Sequence, residues 1–338
     1  MGDLYMRPEL LRRVPLGGTE LSVSVMGLGC MGMSECYGPS DARENLATLE
    51  RALDLGVNFL DTADSYGPHH NEELIGRFAV GRRNRLVIAS KFGFVRDRIL
   101  SAALIDNSPA YIRQSCEGSL RRLRTETIDL YYVHRYDPTY PIEETVGVLA
   151  DLLRQGKIRA IGLSEVSSAT LRRAAAVHPI SALQSEYSLW ARNAEVDMIP
   201  VCKELGTSFV AFAPLGRGFL TDTIAEVASL APDDYRRQQP RFTGAAAGAN
   251  AHLVAQLREL ALQQGCTPAQ LALAWLLTAQ PQVIPIPGVR RTRHLEENVA
   301  AAQASLTPEL TASLKRIFPI GAAVGARYDE DGMRLIGR

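Results

Sequence analysis

The chain alternates short apolar runs with longer segments in which apolar residues recur every three or four positions. Eight such runs occur, at residues 25–29, 57–60, 86–89, 128–133, 160–163, 182–184, 208–212 and 283–285. Each is followed by a segment with the spacing of an amphipathic helix. Strands that are apolar on both faces and separated by helices are typical of a parallel sheet covered by those helices. The pattern therefore predicts eight successive βα units.

Polar residues and glycines at the segment boundaries support this division. Asp41 and Glu44 have the spacing of a capping box, and Gly56 ends the apolar stripe that follows them. Thr267 and Pro268 begin another apolar segment, as an N-cap and a first helical residue. Helices are therefore predicted to begin directly after Asp41 and Thr267.

Eight units predict the fold class α/β, in the form of a closed (β/α)8 TIM barrel. The whole chain, residues 1–338, is predicted to be a single domain whose core covers residues 12–317. An N-terminal hairpin precedes the barrel, and residues 214–265 are predicted to form a long lid loop after the seventh strand. The C-terminal tail, residues 318–338, could cover the barrel, dock on a partner or extend freely.

The composition excludes several classes of function. The 338 residues are 46% hydrophobic and 22% charged, and 37 basic residues balance 37 acidic ones. This balance argues against nucleic acid or an anionic membrane as the main partner. Five scattered cysteines form no disulfide framework, which indicates a reducing compartment. No apolar run approaches the roughly 20 residues of a membrane span, and the N-terminus has no signal-peptide core. We therefore expect a cytoplasmic globular protein.

Four chemically capable residues follow three successive strands. Asp61 ends the second strand with Tyr66 five residues later, Lys91 ends the third strand, and His134 ends the fourth. Active sites of (β/α)8 barrels lie at the C-terminal ends of the strands. Each residue alone would be more typical of a helix cap, a core position or a solvated surface. Their joint placement on one rim of the barrel predicts a catalytic site.

This combination is suited to proton transfer by a tyrosine. A free phenol has a pKa of about 10 and is a poor acid or base at neutral pH. The Lys91 ammonium is expected to lower the pKa of Tyr66, and Asp61 is expected to hold Lys91 in place. His134 could orient a carbonyl oxygen beside the phenol. The hypothesis is that Tyr66 gives a proton to a substrate.

Two other motifs fit the sequence less well. Residues 27–32 satisfy the G-x-G-x-x-G dinucleotide pattern, but that fingerprint needs a helix at its third glycine, and Pro39 disfavours one there. Cys30, Cys36 and the pair His69-His70 have the spacing of no known zinc motif. We therefore predict neither a Rossmann fold nor a metal site, and assign residues 27–32 to the first βα turn.

The chain resembles the aldo-keto reductases, which are NADPH-dependent (β/α)8 oxidoreductases of carbonyl compounds. The segments FLDTADSYG, ASKFG and YYVHRYDP match those that carry the catalytic tetrad of this family, here Asp61, Tyr66, Lys91 and His134. IGLSE, ALQSEYSLW, AFAPLGRGFL and IPGVRRTRHLEEN match its cofactor-binding segments in order. The branch related to pyridoxal reductases is the most similar. The resemblance implies NADPH-dependent reduction of an aldehyde or ketone to an alcohol.

The resemblance also implies a set of cofactor-binding residues. They are Cys30, Met31, Asp61, Ser164, Gln184, Phe212, Ala213, Pro214, Leu215, Gly216, Arg217, Gly218, Gly288, Arg290, His294, Glu297 and Asn298. Glu165 stands where the family often has asparagine, and Phe212 where it has tyrosine or tryptophan. Independently of the family, Arg290 precedes a helix that starts near Thr292, so a guanidinium and free N–H groups converge on an anion. This arrangement favours NADPH over NADH.

Some alternatives remain open from the sequence. Lys91 could be the Schiff-base nucleophile of a barrel lyase or aldolase. The chain could also be a non-catalytic NADPH-binding sensor, since potassium-channel β subunits share the fold. Arg241 in the predicted lid could close over the cofactor. Small aldehydes, pyridoxal or a sugar-like carbonyl are possible substrates, and a monomer and a homo-oligomer fit equally well.

Overall fold

The computed structural model describes residues 11–95, 104–221, 227–280 and 282–338. Eight parallel strands form one sheet, in which each strand pairs with the next one along the chain. The edge strands are joined by the Gly29–Gly288 bridge and by a hydrogen bond from the Gly27 amide to the Pro285 carbonyl, 2.9 Å long. The strands are β1 Leu28–Gly29, β2 Phe59–Asp61, β3 Val87–Phe92, β4 Leu130–Val133, β5 Ile161–Ser164, β6 Ala182–Glu186, β7 Ser208–Phe212 and β8 Val283–Pro285. The predicted (β/α)8 fold is confirmed.

Helices follow the strands as the alternating pattern predicts. They are α1 Ala42–Asp54, α2 His70–Ala79, α3 Pro109–Leu123, α4 Ile142–Arg154, α5 Ser168–Val177, α6 Met198–Leu205, α7 Gly244–Gln263, α8 Pro268–Ala279, α9 Thr292–Ala300, α10 Pro308–Ile317 and α11 Glu330–Arg334. Asp41 caps α1, because its carboxylate accepts hydrogen bonds from the amides of Arg43 and Glu44. Thr267 forms a full capping box with Gln270 at the start of α8. Both predicted helix starts are confirmed.

The hydrophobic core has two layers. The larger layer lies between the sheet and the helices, where it includes Leu74, Ile161 and Trp275. The smaller one fills the barrel, where it contains interior strand residues such as Tyr132 together with Leu16 of the hairpin formed by Arg13–Pro15 and Ser22–Ser24. The hairpin therefore closes the N-terminal end of the barrel and leaves the opposite end for the polar strand termini.

The segment after β7 lies where the lid was predicted, but it is not a loop throughout. Its first part contains the short 3₁₀ turns Gly216–Thr221, Val227–Ser229, Tyr235–Gln238 and Pro240–Phe242. Its second part is α7, a helix of 20 residues. The sequence GAAAGAN reads as a loop because of its glycines, yet alanine has the highest helix propensity. Val254, Leu257 and Ala261 bury one side of this helix and stabilise it.

The C-terminal tail crosses the C-terminal face of the barrel. The Val324 amide donates to Asn250 Oδ1 and its carbonyl accepts from Asn250 Nδ2, at 2.9 and 3.0 Å. Further along, the Gly337 amide donates to the Glu165 carbonyl at 2.7 Å. Of the three arrangements that the sequence left open for the tail, the structure has the one in which it covers the barrel.

In the part of the chain that the structure describes, no helix is both long enough and apolar enough to cross a membrane.

Candidate active site

Lys91 joins Asp61 and Tyr66 into one hydrogen-bonded group at the ends of β2 and β3. Its Nζ donates to Asp61 Oδ1 at 2.5 Å, to the Thr62 carbonyl at 2.9 Å and to Tyr66 Oη at 3.1 Å. The Lys91 and Asp61 side chains are almost completely buried, with 0% and 3% exposure. An ammonium group has three protons to donate, so these three acceptors account for all of them. The structure thus brings together three residues that the sequence placed on two separate strands.

The protonation of Tyr66 differs from the sequence-based expectation. Burial raises the pKa of the Tyr66 phenol well above its usual value, and the nearby Asp61 charge raises it further. Burial lowers the pKa of Lys91, while its contact with Asp61 acts in the opposite direction. The expected net lowering of the Tyr66 pKa is therefore wrong, because loss of solvent and the Asp61 charge outweigh the effect of nearby cations. At neutral pH the group contains a protonated phenol.

His134 lies directly beyond β4 and packs edge-on against Tyr66. The two ring centroids are 5.7 Å apart, with an interplanar angle of 81°. Phe94 meets the other side of the imidazole at 4.7 Å, and Ser65 Oγ lies 3.5 Å from its Nδ1. These contacts fix the ring plane beside the phenol. The fourth predicted catalytic residue therefore belongs to the same cluster.

Gln184 and Ser164 lie on the strands that follow. Gln184 Nε2 donates to Asp61 Oδ2 at 2.7 Å, so Asp61 is held by both an amide and an ammonium. Ser164 Oγ accepts a hydrogen bond from Arg135 Nη1 at 3.3 Å. Sequence reasoning missed Arg135, although it directly follows His134 in the YYVHRYDP segment. Gln184 thus contacts the cluster directly, and Ser164 is connected to it through Arg135, the neighbour of His134.

Beyond Phe212 the backbone turns sharply through the left-handed region. Ala213, Gly216, Arg217 and Gly218 have φ angles of +47°, +58°, +57° and +92°. At Gly216 a Cβ atom would lie only 2.7 Å from Cε2 of the Trp190 ring. Only glycine fits there without displacing the indole. The result is a compact loop next to the half-exposed end of β7.

The arginines of this loop and of the lid are paired with one carboxylate. Arg217 Nη2 and Arg241 Nη1 lie 3.3 and 2.9 Å from the two oxygens of Glu186, which ends β6. Arg241 also contacts the Gly325 carbonyl of the tail, and Arg217 Nη1 donates to the Arg327 carbonyl at 3.0 Å. Arg241 therefore does reach the rim of the barrel, where it connects the lid to the tail.

Glu165, which stands where asparagine was expected, holds the tail. Arg327 binds its carboxylate through two hydrogen bonds of 2.9 and 2.6 Å, and Ser185 Oγ and the Glu186 amide donate to it as well. Burial alone would raise the pKa of Glu165, but the Arg327 guanidinium outweighs burial and lowers this pKa below its usual value. The substitution that the sequence left unexplained thus belongs to an ion pair between β5 and the tail.

The residues predicted to bind the adenosine end lie around the start of α9. Arg290 Nη1 donates to the Gly38 carbonyl at 2.9 Å, and α9 begins after Arg291 without a side-chain cap. His294 Nδ1 is 3.5 Å from Glu297 Oε2, and Asn298 is buried. Gly288 is bridged to Gly29 of β1. These residues lie on one side of the barrel mouth, beside the β1 loop.

The β1 loop contributes two further predicted residues, Cys30 and Met31. The Cys30 thiol donates to the Leu28 carbonyl at 3.5 Å, and burial raises its pKa, so it is a neutral packing group. Met31, the next residue, is half-buried at the start of a 3₁₀ turn. Within the described residues, no group of three or more His, Cys, Asp or Glu side chains is arranged to hold a metal.

The hydrogen-bond donors and positive charges around the mouth of the barrel fit a nicotinamide dinucleotide. An uncapped helix start with Arg290 and Arg291 is suited to a phosphate. Amide and hydroxyl groups at the ends of β5 and β6 are suited to a carboxamide. Together these features are those that a nicotinamide-dependent barrel oxidoreductase would need.

Comparison with known proteins identifies the family. Residues 25–318 match the model of the aldo/keto reductase family. The glycerol dehydrogenase AKR11B4 from Gluconobacter oxydans is 30% identical over 94% of this chain and 98% of its own, with a TM-score of 0.83. The holo form of the aldo-keto reductase AKR11C1 from Bacillus halodurans is 28% identical over 95% and 99%, with a TM-score of 0.77. A thermostable aldo-keto reductase, Tm1743, solved with the inhibitor epalrestat, is 30% identical over 91% and 100%, with a TM-score of 0.72. The chain belongs to the aldo/keto reductase family.

Membership confirms the class that the sequence predicted. The protein is an oxidoreductase of a family that uses a nicotinamide cofactor and acts on small-molecule carbonyl compounds.

Proposed function

We propose that the protein reduces an aldehyde or ketone to an alcohol with NADPH, and that Tyr66 is the proton donor. The observation that carries the proposal is the contact of Lys91 Nζ with Tyr66 Oη, 3.1 Å long, inside a group whose other members are buried. A protonated phenol beside a fixed ammonium is a proton donor whose conjugate base is already stabilised. The raised pKa of Tyr66 keeps the proton in place until a carbonyl oxygen accepts it.

Each residue of the cluster then has a defined part. When bound, NADPH would supply the hydride that adds to the carbonyl carbon. The carbonyl oxygen takes its proton from Tyr66, and the Lys91 ammonium stabilises the phenolate that remains. Asp61 keeps Lys91 charged and in position, and His134 orients the carbonyl oxygen beside the phenol. Solvent then returns a proton to Tyr66, so that the site regains its starting state.

The preference for NADPH over NADH is proposed from the start of α9. Arg290 and Arg291 bring two guanidinium groups to a helix N-terminus that has no side-chain cap. A ribose 2′-phosphate would be attracted by both charges and by the free amides, whereas a 2′-hydroxyl would not. Ser164 and Gln184 would face the nicotinamide end of the same cofactor.

The two rival functions use the same residues differently. A Schiff-base enzyme needs a neutral Lys91 with a free lone pair, but all three protons of an ammonium have acceptors here. A sensor would bind NADPH without turnover. The described site contains the proposed proton donor in hydrogen-bonding position, which favours catalysis.

The proposal is tested by NADPH consumption with a reactive aromatic aldehyde, with NADH in parallel. Wild type should turn over with NADPH, and Tyr66→Phe should lower kcat by about 10²- to 10⁴-fold while the Kd for NADPH stays within a few-fold. The matched control is Tyr131→Phe, which removes a buried hydroxyl from the layer between sheet and helices. Tight NADPH binding by the wild type without turnover would favour the sensor. If neither nucleotide binds, the result would favour the Schiff-base enzyme with Lys91 as its nucleophile.

A further inference from the structure

Arg135 is a buried arginine directly beside the proposed catalytic cluster. It directly follows His134 at the end of β4, and its residue exposure is only 8%. Its Nη1 donates to the His134 carbonyl at 2.7 Å and to Ser164 Oγ at 3.3 Å. Both acceptors are neutral oxygens. The guanidinium is therefore held in position by the site without having its charge compensated by these bonds.

The other buried arginines of the described chain are each paired with a carboxylate. Arg192 binds Glu195 at 2.7 Å, and Arg241 binds Glu186 at 2.9 Å. No carboxylate in the described residues lies within 4.0 Å of Arg135, and its Nε and Nη2 donate no hydrogen bond there. A buried charge without a counter-charge is costly. Arg135 thus has two donor groups without a hydrogen-bond partner among the described residues, and no ion pair within 4.0 Å there.

The Arg135 charge helps to lower the pKa of one neighbouring carboxyl, Glu165, without forming an ion pair with it. Glu165, on the neighbouring strand end, is taken by the bidentate contact with Arg327 and by two further donors. The Phe94 ring lies under the guanidinium, with its centroid 5.6 Å from Cζ, and also packs on His134. The planar fork is therefore oriented by an aromatic ring that also contacts the imidazole of His134.

The Arg135 charge also acts on the reacting group. It is the largest influence that lowers the pKa of Tyr66, against the stronger effects of burial and of Asp61. An anion bound to Arg135 would therefore lie within electrostatic reach of the phenol. A substrate that spans the two residues would present its carbonyl to Tyr66 and its anion to Arg135.

We propose that Arg135 binds a carboxylate on the substrate, so that the preferred substrates are aldehydes or ketones that also carry a carboxylate. The inference rests on the proposed function and names its substrate class. Two adjacent N–H donors on one guanidinium match the two oxygens of a carboxylate. A phosphate ester, with more charge and three terminal oxygens, would need further cations than this one side chain.

The test compares two aldehydes that differ in charge, 4-formylbenzoate and its methyl ester, in wild type, Arg135→Met and Arg135→Lys. We expect wild type to favour the carboxylate in kcat/KM by tenfold or more. Arg135→Met should reduce this preference by tenfold or more, mainly through the KM for the carboxylate, and Arg135→Lys should retain part of it. Thermal unfolding of each variant and its Kd for NADPH are measured alongside.

Three outcomes would overturn the inference. Wild type could use both aldehydes equally well, or Arg135→Met could keep the wild-type ratio. Arg135→Met could also weaken NADPH binding with the substrate ratio unchanged, which would make Arg135 a cofactor contact. Failure of the proposed function is distinct from all of these, because the wild type would then turn over neither the ester nor the carboxylate.

Discussion

The ion pair between Glu165 and Arg327 gives a measurable prediction about the tail. In Arg327→Ala the Glu165 carboxylate, with a side-chain exposure of 0%, loses its two hydrogen bonds to the guanidinium. Removing one partner of a buried pair costs about 3–5 kcal/mol. We expect the lower end, about 3 kcal/mol, because Ser185 Oγ and the Glu186 amide still donate to the carboxylate and Arg327 is 18% exposed.

The assay is the free energy of unfolding from urea denaturation, together with amide hydrogen exchange in residues 318–338. Arg327→Ala should lower the free energy and accelerate exchange in the tail. The control is Arg334→Ala, since Arg334 is 70% exposed and its partners Glu330 and Asp331 are both 92% exposed. An exposed pair of this kind contributes about 0–1 kcal/mol.

A double-mutant cycle with Glu165→Gln isolates the interaction itself. The coupling free energy should exceed about 1 kcal/mol, because the two residues are in direct contact and largely desolvated. Equal losses in Arg327→Ala and Arg334→Ala, or a coupling near zero, would refute the reasoning that this pair holds the tail on the barrel.

Three more predictions concern the loop and the titrating groups. Gly216→Ala should destabilise the protein by more than about 1 kcal/mol and weaken NADPH binding. The control Gly248→Ala in α7 should be neutral or stabilising, because no atom lies near its Cβ position. Equal melting temperatures for the two variants would contradict this prediction. The lowered pKa of Glu165 means that its contribution to stability is complete above the unfolded pKa of about 4.3 and is lost as pH falls through the folded value. Unfolding at a series of pH values should show that loss in wild type and not in Glu165→Gln. Asp61→Asn should move the alkaline limb of the pH profile of kcat to lower pH, because Asp61 raises the pKa of Lys91. If this limb does not move, the ionisation of Lys91 does not control it.

The barrel could be predicted from the sequence because its signals are local. Each strand is a short apolar run, and helix starts such as Asp41 and Thr267 carry their own capping residues. Helix α7 was missed, since a run of glycine and alanine has no strong apolar period. Its stability depends on Val254 and Leu257, which are buried only when distant segments pack on them.

The grouping of Asp61, Tyr66, Lys91 and His134 could equally be predicted from the sequence, because the ends of parallel strands meet at one rim. The role of Glu165 could not, because its partner Arg327 is 162 positions away and no local pattern connects them. The net direction of the Tyr66 pKa shift was missed for the same physical reason. Burial of the phenol decides the direction and the Asp61 charge acts the same way, and the contact with Lys91 that the sequence did indicate does not reverse it.

The most direct test of Tyr66 as proton donor is a single turnover with NADPH deuterated at the transferring position, followed by mass spectrometry of the alcohol. Wild type should place one deuterium on the carbinol carbon, and Tyr66→Phe, saturated with the same cofactor, should form product at least about 10²-fold more slowly. Undiminished deuterium transfer by Tyr66→Phe would contradict the assignment of Tyr66, and an alcohol without deuterium would contradict hydride transfer from NADPH itself.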